Sequence, residues 1–305
     1  MRKVVTPSGE VDVTGSGYRP EGELLVDGRP LEDGVLLDEV RAVLGAGSLA
    51  NDAVLRLEDG EWRIQGDPTE AAFLVAEAKI RITETRRARF ERVGEVPFTS
   101  ERKLMSTLEV DREAGGRVAL VTKGAPDVLL VRCTAERVAG EIRPLNDERR
   151  AAVLATVDRL ADLALRTLAV AYRPLPEGAS PELDESIERE LVYLGVVGII
   201  DPPRPEAKVA IAEAHAAGIR VMMITGDHPR TAVRIAGELG IAGDGSRALT
   251  GADLDRLDDA RFTDAVRKVS VYARVAPEHK LRIVDALQAD GNIVAMTGDG
   301  VNDAP

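Results

Sequence analysis

The chain has 305 residues, of which 44 % are hydrophobic and 30 % charged, the balance of a folded globular protein with room for two domains of ordinary size. A formal net charge of −12 excludes a broadly basic face, so no nucleic-acid partner is expected, although a locally basic pocket is permitted. The single cysteine, Cys133, rules out an internal disulfide and a thiolate cluster, and His215, His228 and His279 are too far apart in sequence for a helix-spaced metal pair.

No window reaches the roughly 20 apolar residues that span a bilayer, and MRKVVTPSGE lacks the apolar core of a signal peptide, so the chain reads as soluble. In chain order, Val4 to Val13 and Trp62 to Ile64 read as strand pieces, with Gly60 in a turn. Thr69 to Arg81 is a helix and Arg117 to Thr122 another strand. Asp147 to Leu168 reads as one long helix, with Ala152, Leu160, Leu163 and Ala164 at helical spacing. Strands clustered around a few helices predict an α+β domain on an antiparallel sheet over residues 1–195.

From about Leu194 the pattern turns regular. LGVVGII is a strand, DPPRPE opens a helix that runs past His215 to Gly218, and IRVMMIT is the next strand. A helix from Pro229 to Gly240, a less regular stretch, the strand VSVYARV and the helix PEHKLRIVDALQADG follow. NIVAMTG is the last strand, ending in GDGVND. Strands that alternate with helices and are almost wholly apolar predict a Rossmann-like α/β domain with a parallel sheet over residues 196–305.

Ligands of open parallel sheets sit beyond the carboxyl ends of the strands. Two such ends look alike: Thr225, Gly226 and Asp227 after IRVMM, and Thr297, Gly298, Asp299, Asn302 and Asp303 after NIVA. Glycine lets backbone amides approach an anion, a hydroxyl donates to a phosphoryl oxygen, and carboxylates hold Mg2+. One such loop alone is as readily an ordinary turn; two at equivalent ends point to a phosphate site. Lys280, early in its helix, could neutralise a phosphoryl group, although a single helix lysine more often faces solvent. In the first half, GDPTEAAF sets Glu70 near a helix start, VPFTSERKLMS sets Phe98 close to Lys103, and VTKGAPD sets Lys123 beside Gly124 at a strand end. An aromatic face suits a base and lysines suit phosphates. Taken singly, Phe98 could be core, the lysines surface charge and Glu70 a helix-dipole carboxylate. Neither the P-loop nor the dinucleotide fingerprint occurs.

Taken together and in order, GDPTEAAF, KGAPD, DPPRPE, MITGDHPRTA, ARVAPEHK and MTGDGVNDAP resemble the cytoplasmic region of P-type cation-transporting ATPases, most closely the type II group of calcium and sodium/potassium pumps. The resemblance implies a haloacid-dehalogenase phosphorylation domain with a nucleotide-binding domain inserted into it. It implies that Phe98 stacks on the adenine of ATP, with Glu70, Lys103, Lys123 and Gly124 in the same pocket and Arg166 on the nucleotide phosphates. Thr225, Gly226 and Asp227 resemble the phosphate loop, and Lys280 the phosphoryl-holding lysine. Asp299 resembles the Mg2+ ligand, beside Asn302 and Asp303, and Asp201 the aspartate at the interdomain hinge. The intact protein would lie in the cell membrane with this region cytoplasmic, and its cation would cross through membrane helices outside this chain.

Two positions depart from the family pattern. Ser100 stands where many calcium pumps carry an arginine, and the D-K-T-G-T string of the phosphorylated aspartate does not occur. The D-x-D of Asp253 and Asp255 lacks the preceding apolar strand of a nucleophile. The resemblance places the missing aspartate just upstream of Met1, leaves the phosphorylation domain partial, and predicts a fragment that binds nucleotide without turnover. A stand-alone haloacid-dehalogenase-like phosphatase and a non-catalytic nucleotide-binding module are the alternatives.

Overall fold

The computed structural model describes residues 1–15, 17–163, 165–176, 184–200, 205–226, 229–243 and 245–298. It divides into two units, residues 1–161 with 165–201 and residues 162–164 with 202–305. The first unit opens with β1 (Lys3–Thr6), β2 (Gly9–Val13), β3 (Leu24–Val26), β4 (Arg29–Pro30) and helix α1 (Val35–Leu49). The hairpin β5 (Val54–Glu58) and β6 (Glu61–Gln65) leads to α2 (Pro68–Lys79) and α3 (Thr83–Arg89). Then come β7 (Phe90–Val96), β8 (Leu104–Asp111), β9 (Arg117–Gly124), α4 (Pro126–Arg132), β10 (Cys133–Val138), β11 (Glu141–Pro144), α5 (Asp147–Asp162), β12 (Arg166–Pro174) and β13 (Leu191–Ile199).

Eleven of these strands form one sheet in the order β4-β3-β2-β1-β13-β12-β9-β8-β7, with β10 also pairing β13 and β11 pairing β10. Every pairing is antiparallel except β10 with β13. Helices cover both faces. Val40, Val43 and Leu44 of α1 and Phe73 of α2 pack on Val170, Leu194 and Val197. Leu129 and Leu130 of α4 and Val153 of α5 pack on Leu120, Ala169 and Leu191 of the other face. Cys133 lies in that second core, where burial pushes its thiol up to about 12 and leaves it inert.

Two sequence readings change here. The long helix stops at Asp162, and Leu168 lies in β12, whose LAVAY run is wedged between β9 and β13. LGVVGII belongs to β13, at the middle of the antiparallel sheet rather than at the start of the parallel one. A strand covered on both faces is apolar throughout whatever the direction of its neighbours, and all nine residues of β13 are buried.

The second unit holds α6 (Pro205–Ala216), β14 (Met223–Thr225), α7 (Pro229–Leu239), β15 (Leu249–Thr250), α8 (Gly251–Asp255), α9 (Asp259–Lys268), β16 (Val271–Ala273) and α10 (Pro277–Ala289). Its sheet is parallel, in the order β14-β16-β15, and Tyr272, Leu254, Phe262 and Ile283 fill its core. The parallel α/β pattern and the large antiparallel sheet both agree with the fold class expected from the sequence. The irregular stretch resolves into helices: Asp258 caps α9 by accepting the Arg261 amide, and Phe262 and Val266, one turn apart, are buried. IRVMMIT is strand only over its last three residues. NIVAMTG has no strand pairing among the described residues; Ile293 is fully exposed, and an apolar run makes a parallel strand only where neighbours cover it. No helix among the described residues is long and apolar enough to cross a membrane.

Candidate functional site

The string GDPTE builds a helix start. Asp67 has extended backbone, Pro68 takes the first helical position where its missing N–H costs nothing, and Asp67 Oδ1 accepts the amides of Thr69 at 2.6 Å and Glu70 at 3.3 Å. Burial works to raise the Asp67 pKa, but those bonds and the Arg166 charge outweigh it and hold the carboxyl below its ordinary value. The cap aims Glu70 at the carboxyl end of β9. There Lys123 Nζ donates to Glu70 Oε1 at 2.8 Å and lies 5.6 Å from the centre of the Phe73 ring. Glu70 Oε2 accepts the Asp52 amide at 3.1 Å, and the Glu70 carbonyl accepts Asn51 Nδ2 at 2.8 Å. Only 5 % of Lys123 is exposed, and burial lowers its pKa, with Glu70, Asp52 and Asp67 restoring part of the loss.

Antiparallel pairing brings the remaining first-half residues to the same sheet end. Leu104 of β8 pairs with Gly124 of β9, and Ala169 of β12 pairs with Gly124 from the other side. Lys103 therefore ends the loop entering β8, and Arg166 begins β12. The Lys103 carbonyl accepts the Ala125 amide at 3.0 Å, and a Cβ on Gly124 would lie 2.2 Å from that same oxygen, which is why glycine stands there. Phe98 lies in the loop before Lys103 with 57 % of its surface exposed, an aromatic face turned to solvent rather than core. Arg166 Nη1 donates to Thr69 Oγ1 at 3.1 Å, tying β12 to the α2 cap. Glu70, Phe98, Lys103, Lys123, Gly124 and Arg166 are thus gathered at one end of the sheet.

Sequence reading missed the residues that hold this arrangement. Arg102 is buried, pairs with Glu188 at 2.5 Å and also donates to the Pro97 carbonyl, so it pins both ends of the Phe98 loop. Ser106 Oγ donates to the same Glu188 oxygen at 2.6 Å. Arg92 donates to the carbonyls of Leu49 and Asn51, both at 2.7 Å, and to Asp52 at 2.8 Å, fixing the turn that holds Glu70. Apart from Arg102 and Pro97, these partners lie tens of residues apart, and no spacing rule reaches them. The Asp67 cap was legible, because a carboxylate before Pro and Thr-Glu is a helix-start signature.

In the second unit, Thr225 ends β14 beside Ala273 of the parallel β16, and Gly226 follows it. After β16 the chain enters α10, whose fourth residue is Lys280. Thr225, Gly226 and Lys280 therefore share the carboxyl end of this sheet. Asp201, Asp227, Asp299, Asn302 and Asp303 lie outside the described residues. Among the described residues, no cluster of three His, Cys, Asp or Glu side chains could hold a metal. The D-x-D aspartates have structural work: Asp253 completes a reciprocal cap with Thr250, and Asp255 Oδ1 bonds His279 Nε2 at 2.9 Å. His279 Nδ1 accepts the Ala276 amide at 2.9 Å, so the buried ring closes the start of α10.

Residues 39–206 match the family model described as P-type ATPase, cytoplasmic domain N, and residues 127–305 match that of haloacid dehalogenase-like hydrolase. The chain belongs to the P-type cation-transporting ATPases. It is 41 % identical over 297 residues to the calcium-transporting ATPase of Bacillus subtilis, covering 96 % of this chain and 33 % of the relative. It is 42 % identical over 316 residues to the probable cation-transporting ATPase F of Mycobacterium tuberculosis, covering 100 % and 34 %. Calcium-transporting ATPase 1 of Lactococcus lactis is 41 % identical over 266 residues, covering 87 % and 30 %. The chain therefore spans about a third of the length of these P-type ATPases.

Proposed function

We propose that this chain supplies the ATP-binding pocket and part of the phosphoryl-transfer site of a P-type ATPase that couples ATP hydrolysis to cation transport across a membrane. The observation that carries the reading is the gathering of an exposed aromatic, a buried lysine, a second lysine and an arginine at one end of one sheet. That set suits a ligand with a flat base and several negative charges. Phe98 would stack on adenine. Lys103, Lys123 and Arg166 would face the phosphates, with Lys123 exchanging part of its bond to Glu70 for a phosphate oxygen. Gly124 leaves the backbone clear for close approach.

At the phosphoryl site, Thr225, Gly226 and Asp227 would cradle the transferred group and Lys280 would neutralise it. Asp299 and Asp303 would hold Mg2+, with Asn302 beside them and Asp201 at the hinge. Mg2+ would offset the charge that develops on the phosphoryl oxygens, since such transfer is governed by positioning and electrostatics. The nucleotide domain would be residues 1–161 with 165–201 rather than 1–195, because β13 belongs to its sheet, and the phosphorylation domain would take the remainder. In the intact protein this region would be cytoplasmic, beneath a membrane part that carries the cation.

The sequence contains no D-K-T-G-T, so this chain should bind MgATP without forming an acid-stable aspartyl phosphate. Calorimetry should give MgATP binding that weakens about tenfold in Phe98→Ala and in Lys123→Ala, roughly 1.4 kcal/mol each. Unchanged affinity in both variants would remove the pocket. An acid-stable phosphoenzyme after incubation with γ-labelled ATP would refute the inactive-fragment reading.

A further inference from the structure

Phe98 sits in a turn between β7 and β8 whose two ends are held by different means. On the exit side the ladder holds it: the Lys103 carbonyl accepts the Ala125 amide at 3.0 Å, and Leu104 pairs with Gly124. Lys103 has a left-handed backbone, with φ of 57°, and its amide closes the turn on the Thr99 carbonyl at 2.7 Å. On the entry side, pairing of β7 ends with Val96 opposite Ser106. The next peptide group joins Pro97 to Phe98, and its carbonyl oxygen accepts Arg102 Nη2. Among the described residues no other group donates to that oxygen.

Arg102 is itself fixed. One oxygen of Glu188, just before β13, accepts Arg102 Nη1 at 2.5 Å and Ser106 Oγ at 2.6 Å, and the other accepts Arg132 Nη1 at 3.3 Å. Ser106 Oγ shares a further bond of 2.9 Å with Thr122 Oγ1, so β8, β9 and the end of α4 all bear on this carboxylate. Both Arg102 and Glu188 are buried. A buried ion pair adds little stability over apolar side chains of the same volume, so what this one supplies is geometry. The planar guanidinium spans carboxylate and carbonyl with two separate nitrogens, a reach that the single nitrogen of a lysine lacks.

We propose that Arg102, locked by Glu188, is a positioning residue for the nucleotide base: it fixes the peptide group that carries Phe98, so that the ring is set for stacking before the ligand arrives. The inference rests on the reading of Phe98 as the adenine platform. A loop that must be ordered on binding subtracts from affinity, whereas one already held does not. Lys103 and Lys123 are placed by the β8–β9 ladder, apart from the Pro97 bond. Loss of that bond should therefore cost affinity for the base and spare affinity for the phosphates.

Calorimetry on the 305-residue chain tests this with MgATP and with magnesium tripolyphosphate, which carries the charge and no base. Arg102→Lys should bind MgATP about fivefold more weakly, with tripolyphosphate affinity unchanged. In a Phe98→Ala background the same substitution should leave MgATP affinity where Phe98→Ala alone puts it, since no ring remains to position. A role in folding alone would lower the melting temperature and move neither affinity while the chain stays folded. If Arg102→Lys does not fold, Glu188→Gln, which keeps an acceptor for Ser106 but loses the charge facing Arg102, should show the same selective loss in smaller measure. Unchanged MgATP affinity in Arg102→Lys beside a clear loss in Phe98→Ala would overturn this inference and leave the pocket standing. An equal loss for tripolyphosphate would overturn it as well. Indifference of MgATP binding to Phe98→Ala would remove the base platform, and this inference with it.

Discussion

Lys123 donates to Glu70 across 2.8 Å, and that bond joins the end of β9 to the first turn of α2. The lysine is nearly buried and has one carboxylate partner, so its positive charge is held at a cost that an anion would relieve.

Burial sets the Lys123 pKa below the ordinary 10.5. Phosphates beside it favour the charged form and raise that value, so the complex holds more proton than the free protein just below pH 10.5. MgATP binding in alkaline buffer should take up protons, read as a dependence of the calorimetric heat on buffer ionisation enthalpy. Lys123→Met should lose that uptake.

Gly124→Ala should destabilise the first unit by about 3 kcal/mol, because the new methyl would sit 2.2 Å from the Lys103 carbonyl and 2.6 Å from Leu104 Cδ2. Urea titration followed at Trp62 checks it. A near-neutral result would show that β8 and β9 can part at the pocket end.

How much of this was readable beforehand differs from residue to residue. The helix start at Glu70 and the lysine-glycine end of β9 are local signals, and the structure has both where the spacing puts them. Leu160 and Leu163 continue a helical period that carries the expected helix past Arg166, yet the following LAVAY run is a central strand. Short apolar runs fit either structure until the neighbours are known. The apolar β13 run likewise fits a parallel or an antiparallel sheet, and it lies in the antiparallel one. Arg102 with Glu188 and Arg166 with Thr69 are pairs made by topology, and nothing in their separation announces them.

Glu109 offers a pH test. It is almost wholly buried, Arg92 approaches only to 3.7 Å, and burial raises its pKa above the ordinary 4.5. A raised folded pKa means that its contribution is fully present below 4.5 and lost as pH climbs through the folded value. Glu109→Gln should therefore raise the melting temperature at pH 7 by a few degrees and flatten its fall between acid and neutral pH. A lower melting temperature at pH 7 would count against this reading.

In the second unit, Gly251 and His279 should be coupled. A Cβ at Gly251 would lie 2.8 Å from His279 Cε1 and 3.0 Å from the Arg274 carbonyl. Gly251→Ala should cost less in a His279→Ala background than alone, with a coupling of about 1 kcal/mol in a double-mutant cycle. Strict additivity would mean that the Arg274 carbonyl alone sets the limit.

The pairing of β1 with β13 has a mechanical meaning. Lys3 lies opposite Gly198, and the Arg2 amide donates to the Gly198 carbonyl at 2.8 Å, so residues 2 and 198 sit side by side at one end of two adjacent antiparallel strands. Tension applied at those two residues would open the ladder from its end, one hydrogen bond at a time, instead of shearing all of them together. In an optical trap the first unit should give way at a lower force when pulled at residues 2 and 198 than across β7 and β4.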